Sequence, residues 1–496
     1  MTMATAINAA TSCKNFINGR WVESRSGRVA ERRNPADQSE LVAVSPLSTR
    51  EEVREAIAAA KGAFPAWRET PAPARGKIIA RAAAILDRQK EEVARLLTRE
   101  EGKIYKDALG EVMRSVNILE FMAGEATRMG GETTPSQNPR NFAYTFKQPL
   151  GVVASVTPWN FPIAIPVWKA APAIVTGNTV VFKPAGITPL TGAKVVEIFA
   201  EAGVPAGVLN MVLGSGSEVG DELINHPDIK AVSFTGSNDV GSRLYASAAG
   251  KMKKCQCEMG GKNPVVILAD ADLALAVESV ITGAFGSSGQ RCTATSRVVV
   301  EDAVADKFVE MLVARTAKVK AGNGMDPAVE LGPIVDENQL STVLKYLEIG
   351  KQEAKLLAGG SRLTGDTYDR GLFVAATIFD RVPWDSTIAQ EEIFGPVVSI
   401  IRVPDFEEAV RVANSVKFGL SSSIYSNDNA KIFDFIDRIE SGMTHVNLPT
   451  IASEAHLPFG GVKGTGVGLR EMGRVAIDFY TELKTVYIDY NRRKPS

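Results

Sequence analysis

Four short β-rich runs, Gly151 to Thr157, Thr179 to Lys183, Val208 to Val212 and Ala231 to Thr235, are separated by helix-length segments broken by Gly and Pro. Strands alternating with helices imply a parallel sheet. Right-handed crossovers make that sheet open and doubly wound, with its ligand at the carboxyl ends of the strands. A helical stretch precedes it from about Thr49 to Gly130, with apolar residues at three and four spacing in EEVREAIAAAKGAFPAW, RGKIIARAAAILDRQKEEVARLL and VMRSVNILEFMAGEA. A second alternating series starts near Pro264 and runs through RVVVED, a helix from about Val304 to Val319, FVAATIFDRV, PVVSIIRV and SSSIYS. The segments AYTFKQPLG and FYTELKTVYIDY alternate like strands outside both series, and edges of that length usually find a partner chain.

At 496 residues the chain exceeds one hydrophobic core. Its 56 basic residues balance 57 acidic ones, so no strong net field favours nucleic acid or anionic lipid. Four cysteines, Cys13, Cys255, Cys257 and Cys292, do not describe a disulfide framework, and a reducing cytoplasm fits best. Cys255 and Cys257 read as core. The start, MTMATAINAATSCKNF, lacks the pattern of a signal peptide, and no apolar run reaches membrane length. Three scattered histidines suggest neither a zinc site nor a Ser-His pair, so no metal is expected.

The chemistry-bearing residues cluster at strand ends. Gly236 to Gly241 follows AVSFT as a glycine-bounded turn opening a helix, where backbone N–H groups favour a phosphate, although it is not GxGxxG and plain turn chemistry would look the same. Lys183 ends TVVFKPA beside the same crevice, as a phosphate or ribose partner or a solvated lysine. Cys292 follows the small-residue segment SSGQR at the end of an expected helix, where a thiol faces a cleft or is an inert buried cysteine. Glu258 precedes two glycines that permit close backbone approach; it is a base or an ion-pair partner. Asn160, in PWNFP directly after the first strand, is a polar donor or a helix cap.

Together PWNFP, KPA, FTGS, EMGGK, GQRC, EEIFGPV and PFGG resemble, in that order and across nearly the whole chain, the aldehyde dehydrogenase superfamily. The resemblance implies an α/β fold of two doubly wound domains with a β oligomerisation arm. Residues 1–130 and 151–257 would form the dinucleotide-binding domain, 258–466 the catalytic domain, and 131–150 with 475–496 the arm of a homodimer or homotetramer. It implies Cys292 as nucleophile, Asn160 as oxyanion donor and Glu258 as general base. Thr157, Trp159, Lys183, Gly186, Gly216, Phe234, Gly236, Ser237, Gly241, Glu392 and Phe394 would contact the dinucleotide. The chemistry accepts these roles: a thiolate adds to an aldehyde, donors hold the oxyanion, hydride leaves to nicotinamide, and a positioned carboxylate activates water against the thioester.

Many NAD-preferring relatives place a glutamate three residues after the lysine, to hold the ribose 2′-hydroxyl. Gly186 stands there in this chain, so NADP is expected to be accepted, with or without NAD. NFPIAIPVWKAAPA, EMGGKNPVVI and SGQRCTATSR are most similar to bacterial 2-oxoglutarate semialdehyde (2,5-dioxopentanoate) dehydrogenases of sugar-acid breakdown. A carboxylate-tailed aldehyde needs a cation in its channel. Arg114 is the expected one, with Arg291 as anchor or scaffold, and Phe161, Ile165, Trp168, Ser453 and Phe459 as walls or ordinary core. Succinate semialdehyde or a neutral aldehyde as substrate, transfer of the acyl group to coenzyme A, and an inactive binding homologue are the rival readings. Glu258 argues against the second, and Cys292, Glu258 and Asn160 together argue against the third.

Overall fold

The computed structural model describes residues 11–490; residues 1–10 of the expected cofactor domain and signal reading, and 491–496 of the expected arm, lie outside them. Four helices form the preface: α1 (Arg50–Glu69), α2 (Ala72–Arg88), α3 (Lys90–Glu101) and α4 (Tyr105–Glu125). Thr49 starts α1 with a capping box, its side chain accepting from Glu52 N while Glu52 reaches back to Thr49 N. The stretch from Arg75 to Leu97 reads as one helical pattern, yet the chain leaves helical geometry at Gln89 (φ −100°, ψ 8°) and divides into α2 and α3.

One sheet has eight strands, in the order Gly466–Val467, Lys254–Glu258, Ile229–Thr235, Val152–Val156, Thr179–Lys183, Leu209–Met211, Asn15–Ile17 and Arg20–Val22. The five from Lys254–Glu258 to Leu209–Met211 are parallel, and the flanking pairings are antiparallel. From Val152–Val156 the chain winds first one way and then the other, so the order reverses between that strand and Ile229–Thr235. The crevice beyond their carboxyl ends is where an open α/β sheet takes a ligand. The two strands Asn15–Ile17 and Arg20–Val22 are absent from the sequence reading. Their turn is Asn18–Gly19, with φ 51° and 76°, a two-residue hairpin signal of the favoured kind.

A second sheet runs Lys355–Ala358, Thr377–Asp380, Val397–Val403, Thr295–Glu301, Asn263–Ile267, Ser421–Tyr425 and Met443–Val446, parallel except at its first pairing. Its inner strands are almost wholly buried, with Ser296 and Arg402 half-buried, as helix cover on both faces requires. Thr481–Asp489 pairs with Asn141–Pro149 along its whole length, and Thr133–Pro135 extends that sheet on the other side. This third sheet is the arm-like element.

Helix α5 (Ala164–Val175) is entirely buried and lies against α4 and the first sheet. Trp67 of α1 locks onto it, 2% exposed, with its indole N–H donating to Ile174 O at 3.1 Å. Trp67→Ala removes both the packing and that donor and should cost about 3–5 kcal/mol. Denaturant titration checks this; a midpoint close to wild type would mean that α1 is not part of the cooperative core.

Candidate active site

At the sheet reversal, Thr235 leads into Gly236 and Ser237, and Ser237 stands before the helix Asn238–Ala249. No side chain caps that helix, so its first N–H groups are free for an acceptor. A Cβ on Gly236 would collide with the Phe234 ring, and one on Gly241 with Met259 Sδ, so the turn lies tight on the sheet because both residues are glycine. Thr157 closes the neighbouring strand, its N–H donating to Lys183 O at 3.2 Å. Lys183 is buried at the end of its own strand, which pushes its ammonium down to about 8, and its Nζ donates to Pro184 O at 3.3 Å. Gly186 is exposed, and a Cβ there would meet nothing. Gly216 is also exposed, in a turn capped by Ser215, away from the cavity beside Cys292.

Cys292 lies in the turn between the helix Leu273–Phe285 with its short extension and the strand Thr295–Glu301. Ser287, Ser288 and Gly289 all take left-handed backbone (φ 48°, 57° and 66°), a costly run for two serines. Asp107 holds it by accepting from Ser287 N at 2.8 Å and Ser287 Oγ at 2.9 Å, while Ser288 Oγ donates to Gly332 O at 2.8 Å. From the far side Asn263 Nδ2 donates to Cys292 O and to Ala294 O, both at 2.8 Å. The cysteine's backbone is thus fixed on two sides. Its thiol is pushed up to about 12, chiefly by burial and then by the carboxyls of Glu392 and Glu258, against the favourable Thr293 N–H and Arg114.

Glu258 ends its strand and is 3% exposed. Its carboxyl is lodged among glycines, Oε2 accepting from Gly461 N at 3.0 Å, and a Cβ on Gly460 would collide with Oε1. Burial and the nearby Glu471 carboxylate raise its pKa well above the carboxylate range. Glu471 is itself paired with Lys169, both fully buried. Asn160 is 4% exposed, and its backbone O accepts from Lys103 Nζ at 2.6 Å. Among the described residues no hydrogen bond engages its side-chain amide. It is not a helix cap: α5 starts four residues later with no side-chain cap.

A cavity of about 240 Å³ joins Trp159, Asn160, Gly236, Ser237, Cys292, Glu392 and Phe394. It brings the thiol, the amide and the helix-opening turn together. Glu392 is drawn in by the glycines after Glu258: it accepts from Gly261 N at 2.8 Å, and a Cβ on Gly260 would strike it. Burial raises Glu392 to about 7. Phe394 sits at φ 55° with its ring edge-on to Trp159, centroids 5.4 Å apart. Gln339 and Thr342, on the helix Glu337–Glu353, also line the cavity and went unnoticed in the sequence. Gln339 Nε2 donates to Ile393 O and Phe394 O, each at 3.0 Å, so it carries the Glu392 loop; an isolated glutamine on an ordinary helix gives no signal of that.

On the other side of Cys292, Ile165, Trp168 and Phe459 are buried, with Trp168 and Phe459 rings 5.2 Å apart. Phe161 is half-buried between Lys103, 4.2 Å from its ring centre, and Arg291 at 5.8 Å. Arg291 pairs with Asp107 at 2.9 Å and donates to Ser287 Oγ. Arg114 reaches the same region, donating to Ser453 O at 3.3 Å; burial and the neighbouring Arg291 lower its pKa. Among the described residues Arg114 has no carboxylate partner and Ser453 Oγ no hydrogen-bond partner. Cys255 and Cys257 are buried as expected.

Residues 21–486 match the aldehyde dehydrogenase family. The chain is 47% identical over 475 residues to the alpha-ketoglutaric semialdehyde dehydrogenase of Bacillus subtilis, covering 96% of this chain and 97% of that protein. It is 43% identical to malonate-semialdehyde dehydrogenase 2 of Geobacillus kaustophilus, covering 95% and 97%. Among solved structures, betaine aldehyde dehydrogenase of Staphylococcus aureus in complex with NAD+ superposes with TM-score 0.94 at 35% identity, covering 98% of this chain and 96% of that one. An Escherichia coli structure described as an NADP dependent enzyme gives 0.93 at 35% identity, covering 96% and 98%. With a thiol, a buried carboxyl and an unengaged amide at the reversal of such a sheet, the chain belongs to the aldehyde dehydrogenase family and is an oxidoreductase.

Proposed function

We propose that the protein oxidises a carboxylate-bearing semialdehyde, 2-oxoglutarate semialdehyde first among them, to the corresponding acid. The observation that carries the substrate class is Arg114: a half-buried guanidinium in the electrostatic field of Cys292, with no carboxylate in ion-pair contact among the described residues and only Glu111, already paired with Lys103, attracting it. A second cation, Arg291, stands next to it. A half-buried cation without a counter-ion of its own carries a desolvation cost, and a substrate carboxylate would relieve it. The Bacillus subtilis relative supports the same substrate. The shorter malonate semialdehyde, suggested by the Geobacillus relative, is the second reading.

The cavity residues fit a nicotinamide dinucleotide: Gly236 and Ser237 with the open helix start for phosphate, and Glu392 and Phe394 with the thiol; Lys183, outside the cavity lining, stands at the end of a strand of the same sheet. When bound, the nicotinamide supplies the hydride acceptor. Cys292 Sγ releases its proton to solvent in the open cavity and adds to the aldehyde carbon as the carbonyl π bond becomes the oxyanion. The oxyanion is met by the Asn160 amide and the Cys292 N–H, whose partner groups the turn geometry leaves free. Loss of hydride leaves a thioester on Cys292. Glu258, swung out from Gly461, takes a proton from the attacking water, and the acid is released with the thiol restored. The open edge of the arm sheet, with Leu483 and Tyr487 exposed, supports assembly as a homodimer or homotetramer. Its four free cysteines suit the cytoplasm.

Cys292→Ala should abolish turnover. Glu258→Gln should slow deacylation by about 10² to 10⁴-fold, leaving a rapid burst of reduced cofactor before a slow steady state. Because burial raises the Glu258 pKa, the base exists only above it, and wild-type kcat should climb with pH above the ordinary carboxylate range while the variant stays flat. Stopped-flow rates across pH check both; a burst-free, pH-dependent variant would remove Glu258 as the base.

Arg114→Ala should raise KM at least tenfold for 2-oxoglutarate semialdehyde and malonate semialdehyde and spare a neutral aldehyde of equal length. Initial rates on that panel decide it, and equal losses would defeat the carboxylate reading.

Since nothing opposes a 2′-phosphate at Gly186, wild type should reduce NADP as well as NAD, and Gly186→Glu should shift kcat/KM toward NAD by more than tenfold. Negligible NADP use by the wild type would overturn this.

A further inference from the structure

The loop that carries Asn160 is gripped by one buried ion pair from the helical preface. Lys103 and Glu111 meet at 2.6 Å with side chains 1% and 0% exposed. The remaining atoms of the pair both go to this loop. Lys103 Nζ donates to Asn160 O at 2.6 Å and lies over the Phe161 ring. Glu111 Oε1 accepts from Ile163 N at 2.9 Å and Ala164 N at 3.1 Å, the first N–H groups of α5. The residue before α5 is Ile163, which has no polar group to cap the helix, so Glu111 provides the acceptor that the loop lacks.

The Asn160 amide itself has no partner among the described residues, so its direction is set by the backbone beneath it, and that backbone is set by the pair. A buried ion pair adds little net stability over apolar side chains of similar volume. What this pair supplies is placement: it fixes the segment 160–164 at both ends from a neighbouring rigid helix. The same face of α4 carries Asp107 one turn before Glu111 and Arg114 nearly one turn after it, and these hold the Ser287 turn and reach Ser453 O.

We propose that Lys103 and Glu111 are positioning residues for the oxyanion-binding amide of Asn160; the proposal rests on the reading of Asn160 given above. Aldehyde oxidation is compared in the whole enzyme for wild type, Lys103→Met, Asn160→Ala and the double variant. The rate at which iodoacetamide alkylates Cys292 and the KM for the dinucleotide are measured alongside. Lys103→Met should lower kcat/KM for the aldehyde about 10 to 100-fold, as a misplaced donor does, with alkylation and dinucleotide KM unchanged. In the Asn160→Ala background the same substitution should cost less than twofold, because the group it positions is gone.

If the loss is as large without the amide as with it, Lys103 holds the fold generally and the proposal falls, while Asn160 stands. If Asn160→Ala turns over like wild type, the oxyanion reading falls and takes the proposal with it. Should Lys103→Met fail to fold, Lys103→Met with Glu111→Leu and Glu101→Gln, which also neutralises the second buried carboxyl 4.0 Å from Lys103 Nζ, provides the same comparison, and an equal loss in both backgrounds again overturns the proposal.

Discussion

The parallel ladder between Val152–Val156 and Ile229–Thr235 is the constraint on which the rest depends. These two strands begin opposite windings of the sheet, so no crossover covers the space beyond their carboxyl ends. The loops leaving them, one with Trp159 and Asn160 and the other with Gly236 and Ser237, must therefore face each other across an open crevice. A slip of one residue in that ladder would turn Phe234 away from beneath Gly236 and move both loops out of register. The second sheet then has only to present Cys292 from its own edge, and Asn263 does this by tying the cysteine's backbone to the start of the strand Asn263–Ile267.

Electrostatically the site is built from acids in a dry environment. Glu258 and Glu392 are both held above the ordinary carboxylate range, and the thiol with them, because burial penalises charge more than the local donors compensate. Negative charge is thus suppressed at rest around Cys292. The cations of the region, Lys103, Arg114 and Arg291, gather around Phe161 and Ser453, two of them bound to carboxylates and one, among the described residues, in no ion-pair contact.

Much of this was legible in the sequence for identifiable reasons. Parallel strands buried on both faces leave continuous apolar runs, and the strand Thr179–Lys183 has the bounds that its residues suggest. Glu258 ends a strand two residues before a glycine pair, Asn160 follows a strand within four residues, and Cys292 comes three residues after Gly289, so local spacing carries meaning at each. The hairpin around Asn18–Gly19 was missed because its strands are only three residues each, although the turn residues announced it. Gln339, Asn263, Lys103 and Glu111 were invisible as a group. Each acts through a contact with a residue far away in the chain, and such partners have no period or spacing to betray them. The resting position of Glu258 was equally hidden, since it depends on three glycines some two hundred residues further on.

That resting position has a consequence for the order of events. Gly460 and Gly466 leave room for the Glu258 carboxyl where a Cβ would crowd it, and Gly461 N donates to it. In that position Glu258 does not line the cavity beside Cys292. On the mechanism proposed above, an acyl group on Cys292 would be hydrolysed only after a side-chain rotation of Glu258, so oxidation and hydrolysis would be separated in time. The clock would then be a rotamer, its setting written in the glycines rather than in the reacting groups.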